Sequence, residues 1–231
     1  MNHENPAIAR RGRNRLVLVA LTIWLLSLTV AVGLLAHFMA MPSSPSQPKN
    51  PGAQFAGPVF PPHLRAAPFS LSDQDGRRAR LAQYRGHVVV LTFIYSHCRD
   101  TCPLMTTEVR GALDQLPNHG DNVPVLGISV DPFHDTRASA RAFLAREHMT
   151  GRMRYLLGRL GQLRPIWKRY AVQPEFDRFG REYSHGHSAF VMLIDRRGFL
   201  RVGFPAGQLV PEDLAHDVKL LLGQRGQGQR S

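Results

Sequence analysis

Cys98 and Cys102 are the only two cysteines in a chain of 231 residues. They stand four positions apart, after the apolar run V-V-V-L-T-F-I-Y and before Pro103 and a helix-like stretch. A spacing of i, i+4 puts two side chains on one helix face, within reach of a disulfide or a shared metal ion. The positive end of a helix lowers a thiol pKa, so thiolate is accessible there. Thiolates are soft donors that suit Cu(I), and an imidazole added to two thiolates can also hold Cu(II). The plainer reading makes both Cys small core hydrophobes. Against it, the only two cysteines sit together beside Pro at the end of a strand-like run.

Other side chains near the pair have lesser roles. His97 directly precedes Cys98 and is read as shaping the site. Asp131 and Asp135 organise a loop near the Cys pair rather than bind metal. Met105, a soft thioether one turn after Cys102, is assigned to packing. His63 and His134 read as loop histidines, and His216 as the surface of the last helix.

The elements that position these residues follow an α/β order. Phe69–Ser72 is a short strand and Asp75-Gly76 a turn. Val88–Tyr95 suits a strand buried on both faces. Pro103–Leu116 is helical, with Thr101 as N-cap. Val123–Val130 is a strand, Thr136–Met149 a helix, Met153–Leu157 a strand and Leu160–Tyr170 a helix. Ser188–Ile194 and Phe199–Phe204 are strands around the turn D-R-R-G. Pro211, with Glu212 and Asp213, opens a last helix that Gly223 ends. The order predicts a three-layer α/β domain with a mixed sheet.

Ahead of this domain, Leu16–Leu35 carries no charge. Twenty residues at about 1.5 Å each span about 30 Å, the thickness of a bilayer core. The apolar tract continues to Met41. A signal peptide has a shorter apolar region, and no convincing small-residue cleavage site follows. Arg10, Arg11, Arg13 and Arg15 precede the span, and positive charge stays in the cytoplasm. Residues 1–15 are thus a basic cytoplasmic N-terminus and 16–41 a single transmembrane anchor of the inner membrane. Residues 42–231 face outward, where a disulfide can persist. Seven of the 21 residues 42–62 are Pro, which predicts an extended spacer. The domain proper is 63–223 and the tail 224–231.

The formal charge is +12, carried by 26 Arg and three Lys against 17 acidic residues. The Arg are scattered in sequence, and no nucleic-acid motif accompanies them. The basic excess is read as a solvated surface.

The segments F-S-L-S-D-Q-D-G and Y-R-G-H-V-V-V-L-T-F-I-Y-S-H-C-R-D-T-C-P resemble the SCO/SenC family of copper-binding, thioredoxin-like proteins. G-I-S-V-D-P-F-H-D-T at 127–136, M-T-G at 149–151 and H-S-A-F-V-M-L-I-D-R-R-G at 187–198 agree in order. The resemblance covers about residues 65–222. It implies a thioredoxin-like fold and a copper site formed by Cys98, Cys102 and His187. It also implies a copper chaperone that serves the binuclear copper A centre of cytochrome c oxidase, with subunit II of the oxidase as partner. Two positions depart from the family pattern. Arg99 replaces the usual Pro after the first Cys, and a cation there favours thiolate. Gly186 replaces the usual Asp before the ligand His, removing a group that would orient the imidazole. His185 is a spare candidate ligand.

Two functions compete. One is a membrane-tethered copper chaperone. The other is a thiol–disulfide oxidoreductase in which the same two Cys are nucleophile and resolving thiol. A peroxiredoxin is a weaker reading, because Tyr95 occupies the position its Thr would need. His187 separates the leading two, since only the chaperone requires it.

Overall fold

The computed structural model describes residues 23–30, 33, 54–173 and 189–223. The chain divides into two compact units, Met1–Pro51 and Gly52–Ser231.

In the first unit, residues 23–30 form helix α1. Its apolar side chains, among them Trp24, Leu26 and Leu28, are exposed. Its two hydroxyls turn back on the helix, Ser27 donating to the Trp24 carbonyl and Thr29 to the Leu26 carbonyl, both at 2.8 Å. Among the described residues no helix is long and apolar enough to cross a membrane. Most of the span expected over 16–41 lies outside the described residues.

The second unit is built on one seven-stranded sheet. Its strands are β1 (Ser70–Asp73), β2 (Arg78–Arg80), β3 (Val89–Ile94), β4 (Val125–Ser129), β5 (Met153–Leu157), β6 (Phe190–Ile194) and β7 (Leu200–Pro205). The spatial order is β2-β1-β5-β4-β3-β6-β7. β3 pairs parallel with β4, and β4 with β5, while β6 runs antiparallel to both β3 and β7. The sheet is therefore mixed, as expected. Its helices are α2 (Thr101–Asp114), α3 (Arg137–Arg146), α4 (Leu160–Arg169) and α5 (Pro211–Gly223).

β3 and β4 are buried along their whole length, because helices cover both faces of these central strands. Strand alternation divides β3 between two cores. Val90 and Ile94 join Val109, Phe143 and Val218 under α2, α3 and α5. Val89, Leu91 and Phe93 join Leu163, Ile166 and Trp167 under α4. The result is helix, sheet, helix.

Boundaries moved where capping decides them. Asp100, not Thr101, is the N-cap of α2: its side chain accepts the Thr101 N–H. Thr136 is the cap of α3 and not its first residue, with Ser139 N–H donating to Thr136 Oγ1 at 3.1 Å. The short strand β2 went unforeseen because its alternation, exposed Arg78 and Arg80 about buried Ala79, is only three residues long and rests on one small apolar side chain.

The spacer expected over 42–62 also differs from the structure at its C-terminal end. Phe55 is buried in the core. Val59 bridges Val202, and Arg65 bridges Phe199, so the segment straps the outer side of β7. Asp217 of α5 fastens it, accepting the Ala56 N–H at 2.7 Å and the Gly57 N–H at 3.0 Å. Gly57 fits there because a Cβ would lie 2.6 Å from Phe204 and Val202.

Candidate metal and redox site

β3 ends at Ile94, and residues Tyr95–Asp100 lead into α2. This turn carries Cys98, while Cys102 is the second residue of the helix. Each is only 5% exposed, and no disulfide joins them. Both touch the core under α2, so the core reading of the pair describes their burial. It does not account for their electrostatics.

The backbone N–H of Cys102 donates to Cys98 Sγ at 3.2 Å. Cys98 thereby stands where a helix N-terminus welcomes negative charge. A hydrogen bond from the Cys102 side chain, the backbone N–H of Cys102, and a smaller one from Tyr95 outweigh burial and bring the Cys98 thiol down to about 6. The leading cause is thus Cys102 itself, not the neighbouring cation foreseen at Arg99, whose side chain is exposed. The Asp100 carboxylate lies 3.8 Å from Cys98 Sγ. A thiolate at neutral pH, a second thiol beside it and a low-dielectric surrounding make a soft pair, fit either for Cu(I) or for disulfide exchange.

The turn is held from below by Asp135. Its carboxylate accepts the Ser96 N–H at 2.8 Å and the Ser96 hydroxyl at 2.6 Å. It also accepts the Ser129 hydroxyl at 2.6 Å and the Tyr155 hydroxyl at 2.7 Å. Burial raises the Asp135 pKa, opposed by its hydrogen bonds from Ser129, Ser96 and Tyr155. Burial also drives the Tyr155 hydroxyl far above its ordinary range. Asp131 accepts the N–H groups of Phe133 and His134, both at 3.1 Å. Both Asp residues therefore organise the loop, as the sequence suggested. Met105 is fully buried packing, also as expected.

His185 and His187 lie outside the described residues, which stop at Gln173 and resume at Ala189. Among the described residues no group of three or more His, Cys, Asp or Glu is arranged to hold a metal ion. The structure therefore places two of the three expected ligands together. Sequence reasoning missed Tyr95 as a partner of Cys98, and Ser96 as the link from the turn to Asp135. Neither carried a signal, because each acts through a contact the fold creates. The Arg residues, scattered in sequence, are partly gathered by folding: Arg77, Arg78, Arg141 and Arg154 line one cavity of about 830 Å³ beside β1 and α3.

Known proteins resemble this chain in sequence and fold. The family profile described as SCO1/SenC matches residues 61–223. An SCO2-like protein of Rickettsia prowazekii is 29% identical over 182 residues, covering 76% of this chain and 84% of that protein. The structure of Bradyrhizobium japonicum ScoI with copper bound superposes with a TM-score of 0.58 at 27% identity, covering 68% of this chain and 98% of that one. BsSco, described as having a disulfide switch and as a member of the Sco family of cytochrome c oxidase assembly proteins, shares the fold. Its TM-score is 0.61 at 21% identity, over 71% of this chain and 97% of that one.

Proposed function

The chain belongs to the SCO1/SenC family, and from that premise we propose that it is a copper-binding assembly factor for cytochrome c oxidase. It binds copper as cargo through Cys98 and Cys102, with His187 as the third ligand, and delivers it to the copper A centre in subunit II. The observation that carries this reading is the thiol pair. Cys98 is held as thiolate, near 6, by Cys102 at the mouth of α2. Two adjacent thiols, one already ionised, form a donor set for a soft ion and need little rearrangement. Copper-bound ScoI of Bradyrhizobium japonicum supports the choice of ion.

The apolar stretch Leu16–Leu35 supports a membrane anchor, with Arg10–Arg15 on the cytoplasmic side and the folded domain outside. In that compartment the pair can also be oxidised.

A second reading rests on the acidity of Cys98. The Cys98 thiolate attacks a partner disulfide, one partner sulfur leaves as thiolate, and a mixed disulfide forms. Cys102 then attacks Cys98, releasing the second partner thiol. The partner disulfide is reduced as the Cys98–Cys102 pair is oxidised. Another extracytoplasmic dithiol must then restore the pair.

Titrating the reduced protein with Cu(I) against a chromophoric chelator tests the first reading. One tightly held Cu(I) per chain, lost in Cys98→Ser and in Cys102→Ser, is expected. Failure to compete for Cu(I), together with rapid reduction of a disulfide substrate, would move the assignment to the second.

A further inference from the structure

Two imidazoles meet at the turn that carries Cys98, and the reading above uses neither. His97 immediately precedes Cys98, and its ring meets that of His134 edge to face, with centroids 6.3 Å apart. Both residues are exposed to solvent.

His134 is held by Asp131, with Nδ1 2.8 Å from Oδ2 and 3.0 Å from Oδ1. Asp131 is only 3% exposed. An ionised carboxylate accepts and does not donate, so His134 carries its proton on Nδ1. The lone pair is then on Nε2.

His97 reaches the same state by a longer route. Its Nδ1 lies 3.1 Å from Ser96 Oγ. Ser96 has one hydroxyl proton, and that proton goes to Asp135 at 2.6 Å. Asp135 acts as acceptor on every side, toward Ser96, Ser129 and Tyr155. The Ser96 oxygen is left to accept, so His97 donates from Nδ1 and its Nε2 also carries a lone pair. The donor count of the network places a proton on Nδ1 of each ring, and the neutral ring then offers Nε2 as donor atom.

We propose that His97 and His134 form a second copper station at the turn that carries Cys98, holding Cu(II) through their two Nε2 atoms. Metal–imidazole bonds are about 2.0 Å. An ion held in line between two Nε2 atoms sets the ring centroids about 6 Å apart, close to the 6.3 Å observed, and the exposed rings, edge to face as they stand, must turn to point both atoms inward. Imidazole is a good donor for Cu(II), and water fills the remaining positions. A carboxylate on the far nitrogen of a ligating His is the usual orienting arrangement. His134 has that group directly in Asp131, and His97 has it through Ser96 in Asp135. A mere ring contact between surface histidines would need neither. Binding moves no electron: neutral imidazoles replace water on the ion. This station is separate from the site of Cys98, Cys102 and His187, and it takes only the oxidised ion. The inference rests on the reading of this chain as a copper-handling protein.

The test uses the full chain with Cys98→Ser and Cys102→Ser, titrated with Cu(II) against a competing chelator and followed by electron paramagnetic resonance. One Cu(II) with nitrogen hyperfine splitting is expected. His97→Ala, His134→Ala or His134→Gln in that background should weaken it at least tenfold. Asp131→Asn should weaken it by roughly 10–100-fold, the usual effect of losing an orienting group. Unchanged affinity in the His97 and His134 variants, or a loss that follows only His187→Ala, overturns the proposal. Cu(I) titration of the chain with both Cys intact reads the thiol pair separately. Tight Cu(I) binding by the thiol pair, with Cu(II) affinity in the double-Ser background unmoved by His97→Ala and His134→Ala, sinks this inference and leaves the proposed function standing. The converse pattern does the reverse.

Discussion

Cys102 lowers the thiol of Cys98 through two contacts, a side-chain hydrogen bond and its own backbone N–H at 3.2 Å from Cys98 Sγ. The two cysteines are therefore unequal. On the proposed reading Cys98 is the nucleophile and the first copper ligand, and Cys102 the group that activates it.

This inequality predicts a pH profile. The rate of Cys98 alkylation by iodoacetamide should rise through a midpoint of about 6, below the ordinary thiol value. Cys102→Ala removes the side-chain donor but keeps the N–H, so the midpoint should rise. A thiol pKa depressed by folding stabilises the reduced protein above the ordinary thiol range. That contribution is lost as the pH falls through about 6. A wild-type midpoint near the ordinary thiol value would refute the assignment of Cys98 as activated.

Asp135 gathers four donors from three elements of the chain, two of them from Ser96 in the turn that carries Cys98. Asp135→Ala leaves these buried groups without their acceptor, at about 1–3 kcal/mol for each that stays unsatisfied. A total loss of about 3 kcal/mol or more is expected, or a fall in Tm of about 6–12 °C for a domain of this size. Tyr155→Phe removes a single donor and should cost about 1 kcal/mol. Thermal unfolding followed by circular dichroism would show the order, and equal effects of the two substitutions would contradict the role of Asp135 as hub.

Much of the fold was legible because local chemistry and burial agree. The runs that became β3 and β4 are apolar without alternation, as strands covered on both faces must be. Met153–Leu157 emerged with its expected limits. The order of elements gave a mixed sheet because a hairpin closes a strand–helix series. What stayed hidden depends on residues far apart in sequence. Phe55 reads as part of a Pro-rich spacer until Asp217, some 160 positions on, takes the N–H groups beside it. The Cys pair was plain from its spacing. Tyr95, Ser96 and the tautomer of His97 were not, since only the folded turn brings them to Cys98 and Asp135.

The strap over β7 yields its own prediction. Asp217 is fully buried and accepts from Ala56 and Gly57. Burial raises its pKa, opposed by those two backbone hydrogen bonds. Asp217→Ala leaves two N–H groups unanswered and frees Phe55 from the core, at about 2–4 kcal/mol when the unsatisfied donors and part of a buried ring are counted. Limited proteolysis should then cut near residues 54–60 well before the rest of the domain opens. Wild-type resistance in that segment would show that the strap is held by other contacts.

His187 decides between cargo binding and disulfide exchange. Two thiolates can hold Cu(I) by themselves, since a closed-shell ion makes little geometric demand, whereas Cu(II) prefers nitrogen donors and more of them. His187→Ala should therefore abolish the thiolate-to-Cu(II) absorption band and leave Cu(I) binding weakened but present. Cys98→Ser or Cys102→Ser should remove both. In cells, His187→Ala should lower oxidase activity most when copper is scarce. His185→Ala is the control, because Gly186 stands where an orienting carboxylate is usual. Loss of the band in His185→Ala alone would move the ligand two residues upstream. If both His variants bind copper normally while both Cys variants fail to reduce a disulfide substrate, the pair serves disulfide exchange.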